Sequence, residues 1–267
     1  MLVRRSEFFT ELYDNLADDL VHAPTVTRGE WQSIDVSAST LHTTHELGPY
    51  VLVWSVPSEL MELQAQVQPS LPWAEDHFLE RVSGIPYNPP PSHVDWPWAK
   101  RNNGDHTGDA GKFSHTYPER FWPRWARISR ADRSSANELT GIRYPYGDLA
   151  DVVQLLREAP MSRQAYLPVW FPEDTGGHVR LGARVPCSLG YHFLMRSDWT
   201  LDINYFMRSC DMVRHFRNDV YLAARLLQWV IAELADEQEI KPGTLTMFVS
   251  SMHVMVGDVP TLRPPVG

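Results

Sequence analysis

Behind Ser6, apolar residues fall on one helical face: Phe8, Phe9, Leu12, Leu16 and Leu20 across residues 7–21. This spacing predicts an amphipathic helix with Ser6 as its N-cap. The run Tyr50 to Val56 is β-prone and predicts a strand, and PWAEDHFLERVSG then returns to helical spacing with Pro72 suited to its first turn. Leu149 to Leu156 predicts a helix, AYLPVWF (165–171) a strand, and the stretch running to Met195 a further strand region that carries Cys187. In WTLDINYFM (199–207), Leu201, Ile203, Tyr205 and Met207 alternate with their neighbours, the period of a strand that returns the chain towards Cys187. Val220 to Leu234 is the clearest helix, and its broad face of Val220, Ala223, Leu227, Val230, Ile231 and Leu234 predicts burial. The elements together predict an α/β (α+β) fold, a mixed β-sheet packed by helices.

Residues 85–125 break both periods. NPPPSH, DWPWAKRNNGDHTGDAG and TYPERFWPRW concentrate proline, tryptophan and glycine and predict long ordered loops over a surface or pocket. With 267 residues, 43% of them hydrophobic, the chain has enough apolar surface for one elaborated domain over 1–267, with 85–125 as a loop insertion.

The net charge of −9 and the lack of a dense Lys/Arg run argue against a groove that follows nucleic-acid phosphates, although a single nucleotide is still a possible ligand. There is no membrane-length apolar run, and MLVRRSEFFTELYDNL has no uninterrupted apolar core of a signal peptide. The expectation is a cytoplasmic protein. Two cysteines, Cys187 and Cys210, fit a reducing compartment better than a disulfide framework. His77, His93, His106 and His115 match no compact zinc spacing, so no metal is expected.

The candidate chemistry centres on Cys187 in RVPCS and on RSCD, Arg208 to Asp211. A thiolate is the reactive form of cysteine, and a neighbouring guanidinium favours it. The returning strand would let Cys187 and Arg208 face one pocket.

RVPCSLGYHF, NYFMRSCD, RNDVYLAARL and SSMHVM, in that order, resemble the core of the thymidylate synthase family over about residues 160–256. Thr27-Arg28-Gly29 resembles the family's phosphate loop, and HTYPERFW its active-site tyrosine segment. The resemblance implies a thymidylate synthase-type fold, a sheet-mediated homodimer, and 5,10-methylenetetrahydrofolate as co-substrate. It makes Cys187 the nucleophile that adds to C6 of a pyrimidine nucleoside monophosphate, activating C5. Arg208 and Ser209 would bind the 5′-phosphate with Arg28, and Arg163 would reach across from the second subunit. Gln164 stands where the family has a second arginine. Asp211 would bind folate, Trp98 would stack on the pterin, Tyr117 would help remove the C5 proton, and His253 would bind the sugar. Met255 replaces the tyrosine that usually accompanies that histidine, and His192 stands at a family glutamine position.

With seven residues between them, Met212 to Asn218, Asp211 is followed by Asp219, where uracil-using synthases carry asparagine. An amide serves the O4 acceptor and N3–H donor of uracil together, whereas an ionised carboxylate only accepts. Cytosine offers a 4-amino donor, which matches Asp219, and a proton shared between this carboxyl and N3 would complete the pair. The resemblance is therefore closest to the deoxycytidylate/cytidylate hydroxymethylase branch. A one-residue gap would make Asn218 the reader and uracil the base, and either residue is also a candidate cap for a helix starting at Val220. Ser188 replaces the histidine that follows the synthase nucleophile, and VPTLRPPVG does not resemble the synthase closing tail. Both departures point to water, not hydride, completing the reaction.

The general acid/base is expected on the early helix. Glu75 shares a face with Phe78, Leu79 and Val82, while Glu80 points elsewhere. The expected activity is hydroxymethylation of dCMP. The alternatives are dUMP methyl transfer, dUMP hydroxymethylation, CMP hydroxymethylation in nucleoside antibiotic synthesis, and a non-catalytic nucleotide- or RNA-binding relative.

Overall fold

The computed structural model describes residues 1–27, 30–31, 34–35, 43–97, 112–123, 147–172, 174–176, 184–235 and 239–262. Six strands form the main sheet: β1 (Leu2–Ser6), β6 (Tyr50–Ser55), β7 (Tyr166–Pro168), β8 (Ser188–Met195), β9 (Thr200–Met207) and β11 (Lys241–Val249). Their order is β1-β6-β11-β9-β8-β7. β1 with β6 and β9 with β11 are parallel, and the other pairs are antiparallel. A second sheet has the order β10-β12-β5-β2, formed by β10 (Cys210–Asp211), β12 (Met252–Met255), β5 (Thr44–Leu47) and β2 (Thr25–Val26). β3 (Glu30–Trp31) and β4 (Ile34–Asp35) make a small separate pair.

Helices cover the main sheet because their apolar stripes have no other place to be buried. α1 (Phe9–Val21) buries Phe9, Leu12, Leu16 and Leu20. Its Phe9 ring meets Trp54 of β6 at 5.5 Å and Phe216 at 5.7 Å. The expected Ser6 cap is corrected. Ser6 ends β1 and Phe8 holds the N-cap position, so the Ser6 hydroxyl instead accepts from Phe8 N–H at 3.1 Å. α2 (Leu60–Val67) spans only two turns, too short for periodicity to announce it. α3 (Trp73–Val82) begins directly after Pro72, in agreement with the sequence pattern. α4 (Tyr117–Phe121) and α5 (Leu149–Glu158) follow.

The long helix α6 (Arg217–Leu234) starts three residues earlier than the pattern predicts. A π-helical turn, Met212–Phe216, leads into it, so Asn218 and Asp219 both lie inside the first turn and neither caps the helix. α6 buries Val220, Ala223, Leu227 and Val230, and it packs on β9, β11, α2, α3 and α5. In β8, Gly190 lies against Tyr166 of β7, where a Cβ would collide with the tyrosine hydroxyl.

Two side-chain ties join α3 to α6. Asn218 Oδ1 accepts from Ser70 N–H at 2.8 Å, just before α3. Glu75 accepts from Arg225 Nη2 at 2.8 Å, from Arg225 Nε at 3.0 Å and from the Tyr221 hydroxyl at 2.6 Å. Burial pushes the Glu75 carboxyl up, but the Arg225 and Tyr221 hydrogen bonds outweigh this and hold it below the usual range. Glu75→Gln therefore leaves Arg225 without its counter-charge and is expected to lower the unfolding free energy by about 1–3 kcal/mol. A carboxyl held low in the fold contributes stability above its unfolded pKa that is lost as pH falls through the folded value. Urea midpoints of the two proteins should accordingly differ at neutral pH and converge in acid.

Candidate active site

Cys187 immediately precedes β8 and Arg208 immediately follows β9. The antiparallel register pairs Ser188 with Met207, which brings these two ends together, and Arg208 N–H donates to the Cys187 carbonyl at 2.9 Å. The Arg208 side chain then folds back along the segment before the cysteine, Val185 and Pro186. Its Nε donates to the Pro186 carbonyl at 2.9 Å and its Nη2 to the Val185 carbonyl at 3.2 Å. Held in this way, Nη2 lies 3.7 Å from Cys187 Sγ, and the Ser209 hydroxyl approaches the same sulfur at 3.6 Å. The thiol is partly exposed and faces two hydrogen-bond donors.

A chain of hydroxyls lies beneath the nucleophile. Ser188 is fully buried, and its Oγ meets the Tyr117 hydroxyl at 2.8 Å and the Tyr205 hydroxyl on its other side. Tyr205 in turn stacks on Tyr191 with ring centroids 4.4 Å apart. Burial raises the proton affinity of both Tyr117 and Tyr205, so both phenols stay neutral. Tyr117 is positioned by the start of α4. Thr116 Oγ1 accepts from Glu119 N–H at 3.3 Å while Glu119 Oε2 accepts from Thr116 N–H at 3.0 Å, a reciprocal cap. The Arg81 guanidinium lies 3.9 Å from the Tyr117 ring centroid.

The π-helical turn sets the rotation of α6 and turns Asp219 towards Cys210, whose Sγ lies 3.6 Å from Asp219 Oδ2. Burial pushes the Asp219 carboxyl up, while the charges of His215 and Arg81 and the Cys210 contact pull it down. The same charge acts back on Tyr117, Tyr205 and Cys210. Asn218 is placed differently: its amide is engaged by Ser70.

Asp211 and His253 are register partners where β10 runs parallel to β12. Asp211 Oδ1 accepts from Val213 N–H and Arg214 N–H, both at 3.0 Å, and so caps the π-helical turn. Asp211 Oδ2 is buried without a hydrogen-bond partner among the described residues; Arg214 Nε is 3.7 Å away. Burial pulls His253 down and Asp211 pushes it up, with a net fall. Trp96 stacks on His215 at 5.7 Å.

Other expected residues lie elsewhere. Glu75 is clamped by Arg225 and would have to leave that partner to act as a general acid/base. Glu80 is also engaged, accepting from Ser92 N–H and Ser92 Oγ at 2.6 Å each, with His77 at 3.4 Å. Arg163 and Gln164 are exposed, beyond β8 from the nucleophile, and His192 Nε2 lies 3.0 Å from the Arg163 carbonyl. Arg28, Trp98 and His106 lie outside the described residues. His77 and His115 are kept neutral by burial, which pulls them down to about 4 and about 3. Among the described residues, no group of three or more His, Cys, Asp or Glu side chains is arranged to hold a metal ion, and no helix is long and apolar enough to cross a membrane. Sequence reasoning missed Arg81 and Tyr205. Tyr205 reads as an ordinary strand aromatic, and Arg81 as a surface partner for Glu80.

Comparison with known proteins agrees with this geometry. The "Thymidylate synthase" family matches residues 97–264. A thymidylate synthase of Rhodopseudomonas palustris is 28% identical over 121 residues, covering 45% of this chain and 38% of the relative. One of Sphingopyxis alaskensis is 27% identical over 107 residues, covering 40% and 33%. The matched stretch thus spans little more than a third of these relatives. The solved structure of thermostable thymidylate synthase A from Bacillus subtilis superposes with a TM-score of 0.64 at 15% identity, covering 97% of this chain and 83% of that one, which shows a shared fold. With the family match extending over more than half of its length, the chain belongs to the thymidylate synthase family.

Proposed function

We propose that the protein transfers a one-carbon unit from 5,10-methylenetetrahydrofolate to C5 of a cytidylate, that tetrahydrofolate then leaves and water adds to the exocyclic methylene, and that the Cys187–C6 bond breaks to release the thiolate, so that dCMP becomes 5-hydroxymethyl-dCMP. The observation that carries this reading is the division of labour at the start of α6: Asn218 is bonded to Ser70, while Asp219 faces Cys210. A carboxylate there accepts from a 4-amino group and has no donor for the N3–H/O4 pair of uracil.

The residues divide the work as follows. Cys187 attacks C6 as a thiolate, held by the Arg208 and Ser209 donors, and the electron pair of the C5–C6 double bond moves towards C5. Arg208 and Ser209 also suit a 5′-phosphate, for which a guanidinium fork and a hydroxyl are matched donors. Tyr117, bonded to Ser188 beside the nucleophile, is the group placed to relay the proton leaving C5. His253 is assigned to the sugar. The folate co-substrate supplies a carbon at the oxidation level of formaldehyde. Asp211, whose buried Oδ2 still has capacity to accept, and Trp96, stacked on His215, fit a site for its pterin, with Trp98 and Arg28 assigned to folate and phosphate by resemblance. Completion by water is supported by Ser188 in place of the synthase histidine. A homodimer is part of the reading, because exposed Arg163 has no role within its own chain's pocket and would serve the partner's phosphate.

Tetrahydrofolate-dependent exchange of the C5 proton tests the reaction directly. Exchange is expected with dCMP, with product of hydroxymethyl mass when methylenetetrahydrofolate is supplied, and Cys187→Ser should abolish both. Lack of exchange with dCMP, CMP and dUMP alike would refute an enzyme. Asp219→Asn should shift preference from dCMP towards dUMP by on the order of a hundredfold or more, because each base then meets the opposite hydrogen-bond pattern. Mixing inactive Cys187→Ser with inactive Arg163→Ala should restore part of the activity, measured after subunit exchange; two variants that stay inactive together would argue against a shared site.

A further inference from the structure

Arg81 is a buried cation that makes no contact ion pair among the described residues. It is 4% exposed, and its Nε has no hydrogen-bond partner among them. Of the three acidic side chains of its own helix, Glu80 is engaged by Ser92, Glu75 by Arg225, and Asp76 is exposed. Its carbonyl anchors α3 to the chain after α4 by accepting from Trp122 Nε1 at 2.8 Å, a tie that any residue at 81 could make. Its guanidinium packs on the face of Tyr117, whose hydroxyl reaches Ser188, the neighbour of Cys187. A desolvated guanidinium with one aromatic face, an unbonded Nε and no ion pair in contact is costly, and an apolar side chain of similar length would fill the space without that cost. Packing therefore does not account for it, whereas a ligand that brings acceptors into the pocket does.

The cytidylate reading leaves such acceptors unserved. Along its pairing edge cytosine presents the 4-amino donor, then N3 and O2 as acceptors, whereas uracil presents O4, N3–H and O2. Asp219 answers the amino group only. We propose that Arg81 is the second base-reading residue, its guanidinium donating to N3 and O2 of the cytosine whose 4-amino group Asp219 accepts. A planar fork suits two adjacent acceptors better than a point charge does. Uracil would meet donor against donor at N3 and acceptor against acceptor at O4. With Arg81 donating to N3 directly, no proton shared between Asp219 and N3 is required. This inference rests on the cytidylate reading, and its test separates the two.

Calorimetric binding of dCMP and dUMP to the full-length wild type, Arg81→Met and Arg81→Lys, with melting temperatures of each, decides it. The wild type is expected to prefer dCMP. Arg81→Met should melt at or above the wild-type temperature, yet lose dCMP affinity by about tenfold to a hundredfold, the cost of leaving buried acceptors unpaired. Its dCMP-to-dUMP preference should collapse, and Arg81→Lys, with a single-point donor, should recover only part of it. An unchanged preference in both variants, whatever happens to melting, overturns the role of Arg81 and leaves the cytidylate reading standing. A wild type that prefers dUMP, or binds neither nucleotide, overturns the cytidylate reading and this inference with it. Should Arg81→Met not fold, the preference of Arg81→Lys decides alone.

Discussion

The site depends on one backbone pairing. β8 and β9 run antiparallel, and the last hydrogen bond of their junction, from Arg208 N–H to the Cys187 carbonyl, places a guanidinium beside a thiol twenty-one residues away in sequence. Side chains alternate across a strand, so a slip of one residue would turn Ser188, Tyr191 and Tyr205 to the opposite faces and break the hydroxyl chain beneath the nucleophile. Burial guards this register. Tyr191, Phe193, Ile203 and Tyr205 are all almost fully buried, and the flanking strands β7 and β11 leave neither partner free to shift.

Around that junction the polar groups are arranged by depth. Arg208 is exposed and Ser209 partly so, while Ser188 and Tyr205 are buried and Tyr117 is half-buried beside them. Low-dielectric surroundings strengthen each of these contacts and penalise any that is left unmade. The neutral phenols, the neutral imidazoles of His77 and His115, and the raised carboxyl of Asp219 share one cause, desolvation.

Much of this was legible in the sequence because it is local. Alternation in WTLDINYFM located β9, the stripe from Val220 to Leu234 located α6, and the order of the Cys187, RSCD and His253 motifs located the family. What escaped is set by contacts between distant segments. The face argument grouped Glu75 with Phe78 and Leu79 and set Glu80 apart, yet Leu79 is exposed, both carboxylates are half-buried, and only the packing of α3 on α6 reveals that Arg225 occupies Glu75. Arg81 next to Glu80 looks like a surface pair, and nothing local shows that Ser92 takes the carboxylate. The early start of α6 comes from a π-helical turn capped by Asp211, whose extra residue no periodicity of 3.6 anticipates.

The two ties between α3 and α6, Asn218 to the residue before α3 and Arg225 to Glu75, act as struts at either end of a frame. Arg81 stands on α3 and Asp219 on α6, so the two ties constrain how these residues are placed relative to each other. On the proposed cytidylate reading, a change of preferred base would come through exchange of side chains on the two helices and not through movement of either. Drift in substrate choice should then proceed in discrete steps, and intermediate sequences should pass through a form that fits neither base well.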